Sequence, residues 1–498
     1  MQKLILSSFL LLAINFSALS QTQGSAYTAV GKGVATTFVT DYHSLGINSS
    51  ALGWGTGYKD KHFTLGMTEF SMGIYSDSLN SDRLASLYKT IRQEAFGKTT
   101  GADSWQQQAQ NAGDYLRTGV SIDATYNWLG VAYQNEKLGG IAFNVQERYS
   151  WYSKLSADVS GITFQGKLAD YFDQLTVVYG TDTTVIANNG VTNEDTLAHV
   201  VSGRLAVPFS LSDVTNGTDI KFSWNRYYNL GYGRKLFGDS TFALYGGIAG
   251  RYIQSTAMFN FVSDDNGLSL NSSISPNFDI DYGSVANTNV SDFKKKGKSI
   301  PTAIGNGYGV DFSVSARLFN KLKIGLAVNN IGSITYKRNV YSVRDTLVGE
   351  IRVDGLDNDN ITKTVKELLQ DGGLLNLVGE EKVTIQNNAN IRLGASIDFG
   401  KKLSVGIDFV APFNRDSPGG IQNAVYAVGG DFRPLKWIQL SAGYYGGGIY
   451  KHNIPVGINF ILGKGTYEFG ISSRDALAFF TKGSNSVSTA FGVMRVRF

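Results

Sequence analysis

The stretch 391–409, IRLGASIDFGKKLSVGIDF, holds two runs in which apolar and polar residues alternate one for one. Ile391, Leu393, Ala395, Ile397 and Phe399 fall on one side, and Arg392, Gly394, Ser396 and Asp398 on the other. After Gly400-Lys401-Lys402 the figure repeats, with Leu403, Val405, Ile407 and Phe409 set against Ser404, Gly406 and Asp408. A period of two is the period of a β-strand, and so short a connection makes the pair a hairpin. The same pattern stands earlier. Tyr308, Phe312 and Val314 oppose Asp311, Ser313 and Ser315, and Asn320-Lys321 turns the chain into Leu322, Ile324 and Leu326. Alternation alone fits a sandwich with one wet face as well as a barrel wall with one face in lipid.

Composition narrows the choice. Lys3, the mostly apolar stretch Leu4 to Phe16, and Ala18-Leu19-Ser20 have the layout of an export signal cleaved after residue 20. There is no cysteine among the 498 residues, which closes off a lipid-anchored cysteine, disulfides and thiol chemistry. After the signal, no run approaches the roughly 20 apolar residues of a membrane-spanning helix. Glycine is abundant at 58 residues, and Tyr and Phe number 26 and 29, so the chain is neither collagen-like nor disordered. A net charge of +4 on so long a chain gives no reason to expect a nucleic-acid partner.

The connections decide for the barrel. Fourteen alternating runs occur between residues 62 and 498, the eighth reading as one unbroken strand over 380–399. Every second connection is tight, as at Asn135–Lys137, Leu236–Asp239, Asn320–Lys321 and Gly463–Gly465. The others include the long segments 76–118, 154–219, 263–306 and 339–379. An even strand number, short turns at one rim and long loops at the other describe an outer-membrane barrel. The expected fold is therefore all-β: a single transmembrane antiparallel barrel of about fourteen strands, preceded by a plug segment and carrying helices in its outer loops. Residues 267–283 make either a surface hairpin or two further wall strands, so sixteen is the alternative count. The expected division is 1–20 signal peptide, 21–57 plug and 58–498 barrel. Helices are expected at Ile361 to Asp371 after Asn360, near Leu84 to Ile91, and over Leu168 to Leu175.

The chain closes on STAFGVMRVRF. Strict alternation puts Met494, Val496 and Phe498 on an oily face and Val493, Arg495 and Arg497 on the other. An arginine on the lipid face costs about 2–4 kcal/mol at mid-bilayer, so the arginines are expected to face the lumen. The terminal phenylalanine resembles the signal read by the barrel assembly machinery, with Met494 and Val496 beside it.

The segment GSAYTAVGKGVATTFVTDYHSLGINSSALGW, 24–54, is too rich in small residues for a wall strand. With Gly31, Gly33 and Asp41 followed by Asn48-Ser49-Ser50-Ala51-Leu52-Gly53-Trp54, it resembles the N-terminal plug of FadL-type barrels. Those are outer-membrane transporters of long-chain fatty acids and other hydrophobic compounds. A serine stands where the family pattern has proline. The resemblance implies a plug that occludes the lumen, in which Asn48 turns the chain and Leu52 and Trp54 pack inside. It also implies passive movement of a hydrophobic small molecule past that plug, with outer-membrane lipid as the surroundings. Some barrels of this superfamily serve protein secretion, so a scaffold bound to a protein partner is the alternative. Inward-facing Gly325, Gly394, Gly406, Gly443 and Gly457 leave room for an inserted segment.

Nothing in the chain spells an enzyme. The four histidines, His43, His62, His199 and His452, form no spaced metal pair, and no metal or cofactor is expected. His43 stands near Asp41 and His199 near Asp195, each a conceivable dyad and each more simply a hydrogen-bonded residue. Asp354 to Asn360 lacks the oxygen spacing of a calcium loop. Gly305, Gly307 and Gly309 lead into a strand, not a helix, so they cradle no phosphate. Lys294 to Lys298 forms a basic patch suited to an anionic surface or simply to water.

Overall fold

The computed structural model describes residues 26–58, 60–77, 116–189, 193–278, 301–352, 375, 377–414, 417–420, 423–448, 452–477 and 485–498. The signal segment 1–20, the predicted helices near 84–91 and 361–371, the acidic stretch 354–360 and the basic patch 294–298 lie outside the described residues.

The alternating runs are wall strands. They span Phe63–Ser76, Val120–Asn135, Gly139–Lys154, Thr218–Gly238, Phe242–Asp264, Gly305–Leu318 and Leu322–Tyr336. The other seven are Asn390–Phe399, Leu403–Pro412, Val425–Leu435, Ile438–Gly447, Val456–Leu462, Tyr467–Ser473 and Ser486–Arg497. Each pairs antiparallel with the next, and the last pairs with the first from Thr64↔Arg497 to Tyr75↔Ser486. The sheet therefore closes into a fourteen-stranded barrel with no free edge, which is what an antiparallel sheet needs in lipid. Tight turns gather at one rim; Gly400 makes one of them at φ 67°, a conformation that favours glycine. Gly267–Ile274 folds back on the fifth strand as a hairpin beyond the wall, so it adds nothing to the strand count.

Polarity is inverted relative to a water-soluble protein. Phe312, Leu393, Ile407 and Ile471 are 50–58% exposed, while their inward neighbours Asp311, Arg392, Asp408 and Ser472 are at most 6% exposed. Leaving one large apolar side chain in water forfeits about 1.5–3 kcal/mol, so a continuous outer face of this kind belongs in hydrocarbon. Among the described residues no helix is long and apolar enough to cross a membrane.

Strict alternation fails at one height across the seam where the barrel closes. Met67 pairs with Leu129 on one side and Met494 on the other. At this row Met67-Thr68, Trp128-Leu129 and Val493-Met494 each break the one-in, one-out pattern of their strand. Register shifts accompany the breaks between Asn127 and Leu129 and opposite Glu468 and Gly470, and Thr68 takes φ 57°. These are β-bulges, which add one residue and reverse the phase beyond it. Val493, expected with the arginines, is consequently 51% exposed on the outer face, while Arg495 and Arg497 are buried inside. The same phase change turns Glu69 into the lumen at 3% exposure.

The predicted eighth strand is two pieces, Val383–Gln386 and Asn390–Phe399. Asn387 breaks it by donating its backbone N–H to Gly332 O at 2.9 Å and its side-chain amide to Tyr308 O at 2.8 Å. At the loop rim the chain builds a second, four-stranded sheet from Leu347–Ile351, Val200–Ser210, Gln174–Tyr179 and Asp182–Ala187, in that order. Its own apolar core includes Ile162, Phe172, Leu205, Leu211 and Val348. The helix expected over Leu168 to Leu175 is absent: the helix here is Ala157–Gln165, capped by Ser156, and Gly166 at φ 57° ends it. Leu175 instead enters a strand, where burial in the outer sheet outweighs helical spacing.

Candidate functional site: a segment fastened inside the lumen

Residues 26–54 run through the barrel interior as three short helical turns, Tyr27–Val30, Asp41–Ser44 and Ser49–Trp54, joined by bends. Small residues permit this. Gly31 lies so close to the wall that an added Cβ would stand 2.7 Å from Gly457 Cα. Gly33, at φ 74°, turns the chain beside Pro455. The wall reciprocates: Gly394 faces Thr36, Gly406 faces Phe38, Gly443 faces the Lys32 carbonyl, and Gly325 faces Asn48. Asn48 ties the segment to itself through Thr36 O at 2.8 Å, and Leu52 is fully buried. Trp54 donates its indole N–H to Ser315 Oγ at 3.1 Å.

Three charged fastenings hold the segment to the wall, beside neutral hydrogen bonds such as Ser50 Oγ to Ser315 Oγ at 2.6 Å. Lys32 Nζ reaches Asp431 at 2.6 Å, and Ser441 also donates to that carboxylate at 2.7 Å. Asp408 accepts the backbone N–H groups of Ala35 and Thr36 at 2.7 and 2.9 Å, together with the Thr36 hydroxyl at 3.0 Å. The third fastening is a network at the closure seam. Asp41 is ion-paired with Arg495, which reaches Glu468 at 3.1 Å, and Arg497 meets the same glutamate at 2.6 Å. Beside it, Glu69 accepts from Tyr42 Oη at 2.5 Å and Asn127 Nδ2 at 3.0 Å, with His43 Nε2 at 2.9 Å. The seam network thus joins the segment to the first, second, thirteenth and last strands.

Of the residues singled out from the sequence, Asp41 joins the closing strand directly, whereas Gly31, Gly33, Asn48, Leu52 and Trp54 are spread along the segment. His43 takes only a backbone contact with Asp41, its N–H donating to Oδ1 at 3.2 Å, and its imidazole turns to Glu69 instead. His199 Nδ1 lies 2.7 Å from the Asp195 carbonyl at an exposed helix end. Met494 and Val496 flank the inward arginines, and exposed Phe498 stacks on Phe63 with centroids 5.5 Å apart. Missed from the sequence were Glu69, Glu468, Asp431 and Asp408 as receivers of the segment. Glu69 carried one signal, an acid two residues after the apolar Met67 in a strand that otherwise alternates.

A family model matches residues 59–467. The chain belongs to DUF5723, a family of unknown function. The matched residues of this DUF5723 chain take in the barrel wall from near its start to the thirteenth strand. No curated protein matches it. Among solved structures it is similar to the toluene transporter TodX of Pseudomonas putida, at 10% identity over 97% of this chain and 98% of that one, with a TM-score of 0.38. The toluene transporter TbuX of Ralstonia pickettii aligns at 12% identity over 95% and 98%, with a TM-score of 0.43. A FadL homologue of Pseudomonas aeruginosa aligns at 11% identity over 97% and 99%, with a TM-score of 0.37.

Proposed function

We propose that the protein is an outer-membrane barrel that lets a small hydrophobic molecule pass inward without energy coupling, with residues 26–54 as its plug. The observation that carries this reading is the manner of attachment. Charged groups fasten the segment at three places, with small apolar clusters and neutral hydrogen bonds between them, and the polar contacts exchange for water as it moves. Supporting an apolar cargo, Val207, Phe209 and Leu347 are 69%, 48% and 73% exposed on the outer sheet. Export through the segment 1–20 and assembly through the terminal Phe498 belong to the same proposal. Replacing Val207, Phe209 and Leu347 together by serine should lower uptake of the apolar fluorophore 1-N-phenylnaphthylamine into proteoliposomes several-fold, about what removing an apolar capture surface costs. Unchanged uptake with an intact barrel would argue against capture at this surface.

One observation favours the scaffold alternative. Asp182–Ala187 is the outer edge of the four-stranded sheet and is exposed along nearly its whole length, the arrangement that accepts a strand from a partner protein. Stoichiometric recovery of a protein partner, lost when Thr184 is replaced by proline, would move the assignment to that class.

A further inference from the structure

On the loop side of the plug the lumen holds a chamber of about 80 Å³. Its floor is the plug itself, at His43 and Leu45 to Ile47, and its walls carry Arg148, Arg251 and Arg474 together with the carboxylate of Asp123. Asp311 is already ion-paired with Arg251. Thr125, Gln146 and Asn229 supply further hydrogen-bonding groups, so this is no pocket for a hydrocarbon. Among the described residues, Arg251 Nε, a donor, is buried without a hydrogen-bond partner in the protein. Leaving a buried polar atom unsatisfied costs about 1–3 kcal/mol, which a polar occupant would recover. Arg148 spends one N–H on Gly419 O at 3.1 Å, and a guanidinium has five to offer.

We propose that the chamber is an oxyanion site, in which Arg148, Arg251 and Arg474 receive the carboxylate or phosphate of a small hydrophilic solute. Planar guanidinium groups suit such oxygens because they donate two parallel hydrogen bonds, and low-dielectric walls strengthen the attraction. The site adjoins the plug, since the Arg251 guanidinium lies 3.5 Å from where a Cβ on Gly46 would stand. Arg474 also lines a second, small cavity of about 40 Å³ beside Ala29 and Gly33, whose other charged groups are Arg392 and Asp408. This cargo class differs from the apolar one proposed above, and the site stands whether or not apolar compounds pass.

Calorimetric titration of the full-length protein in detergent at low salt tests it, with succinate and inorganic phosphate as probes and 1,4-butanediol as the neutral counterpart. At least one anion should bind saturably and butanediol should not; succinate alone identifies a carboxylate site, phosphate alone a phosphate site. Arg148→Gln combined with Arg474→Gln should weaken binding about tenfold or more, and Arg148→Lys should restore part of it. Heat-modifiable migration on a gel reports whether each variant keeps its barrel. If the double variant loses that signature, Arg148→Gln alone decides. Binding of neither anion, equal binding of butanediol, or unchanged affinity in a folded variant would overturn the proposal. Uptake of the apolar fluorophore is measured separately, so a failure here leaves that reading untouched.

Discussion

Arg495 shows how much a single side chain decides here. It is 4% exposed and lies between Asp41 of the lumen segment and Glu468 of the thirteenth strand. A buried ion pair contributes little against an apolar pair of equal volume, but removing one partner strands a charge at a cost of about 3–5 kcal/mol. Arg495→Met should therefore loosen the plug far more than Asp41→Asn with Arg495→Met together. Limited proteolysis of residues 26–54 and a double-mutant cycle would measure this, and additive effects would refute the coupling. Asp345 poses the equivalent question outside the membrane. Its carboxylate accepts the Ser212 hydroxyl at 2.6 Å and the Ser212 N–H at 3.0 Å, and these bonds, the hydroxyl's first, hold its pKa below the ordinary value. A depressed carboxylate pKa stabilises the fold above its unfolded-state pKa, and that contribution disappears as pH falls through the folded one. The hydrogen-exchange protection factors at Leu211–Thr215, corrected for the intrinsic pH dependence of exchange, should be high near neutrality and fall below about pH 4. Asp345→Asn should remove the acid-dependent component.

Elements carry the next level of choice, and the three aligned bulges make it visible. Thr68 holds φ 57°, a conformation that costs a β-branched residue about 1–2 kcal/mol. Thr68→Gly should consequently raise resistance to denaturant modestly, read from the midpoint of barrel unfolding. Deleting Thr68 should do the opposite. Strict alternation would then send either Glu69 or the strand's apolar residues to the wrong face, and the heat-modifiable barrel should fail to appear. Loss of the bulge without consequence would mean that the inward placement of Glu69 has no structural weight. The outer sheet behaves differently, because its apolar side chains find a core of their own in Phe172, Leu205 and Leu211.

At the scale of the molecule, the closed ladder and the lumen segment are separable. Each wall strand has both neighbours, so the barrel's backbone groups are paired without help from the plug. Deleting residues 26–54 should leave a heat-modifiable barrel with a large steady conductance in planar bilayers, where the full-length protein conducts little. Failure of the deleted chain to assemble would instead make the segment part of the folding core, bound through the wall glycines as much as through its ions.

The wall was legible in the sequence because the side-chain period of a strand is two and a wall strand keeps one face in lipid and one in the lumen. Ile391 to Phe399 and Leu403 to Phe409 state their own geometry, and the spacing of tight turns and long loops states the strand count. Local periodicity could not place Val493 or foresee the break at Asn387, since a bulge depends on the neighbouring strands and a broken ladder on where a side-chain amide lands. Nor could it name Glu69, Asp408, Asp431 and Glu468 as partners of the lumen segment. Lys32 and Asp431 lie 399 positions apart in the chain, and Asp41 and Arg495 lie 454 apart. An ion pair of that kind exists only once the barrel closes and brings its last strand against its first. Hydrophobic alternation, a local property, determined the wall; closure, a global one, decided what stands inside it.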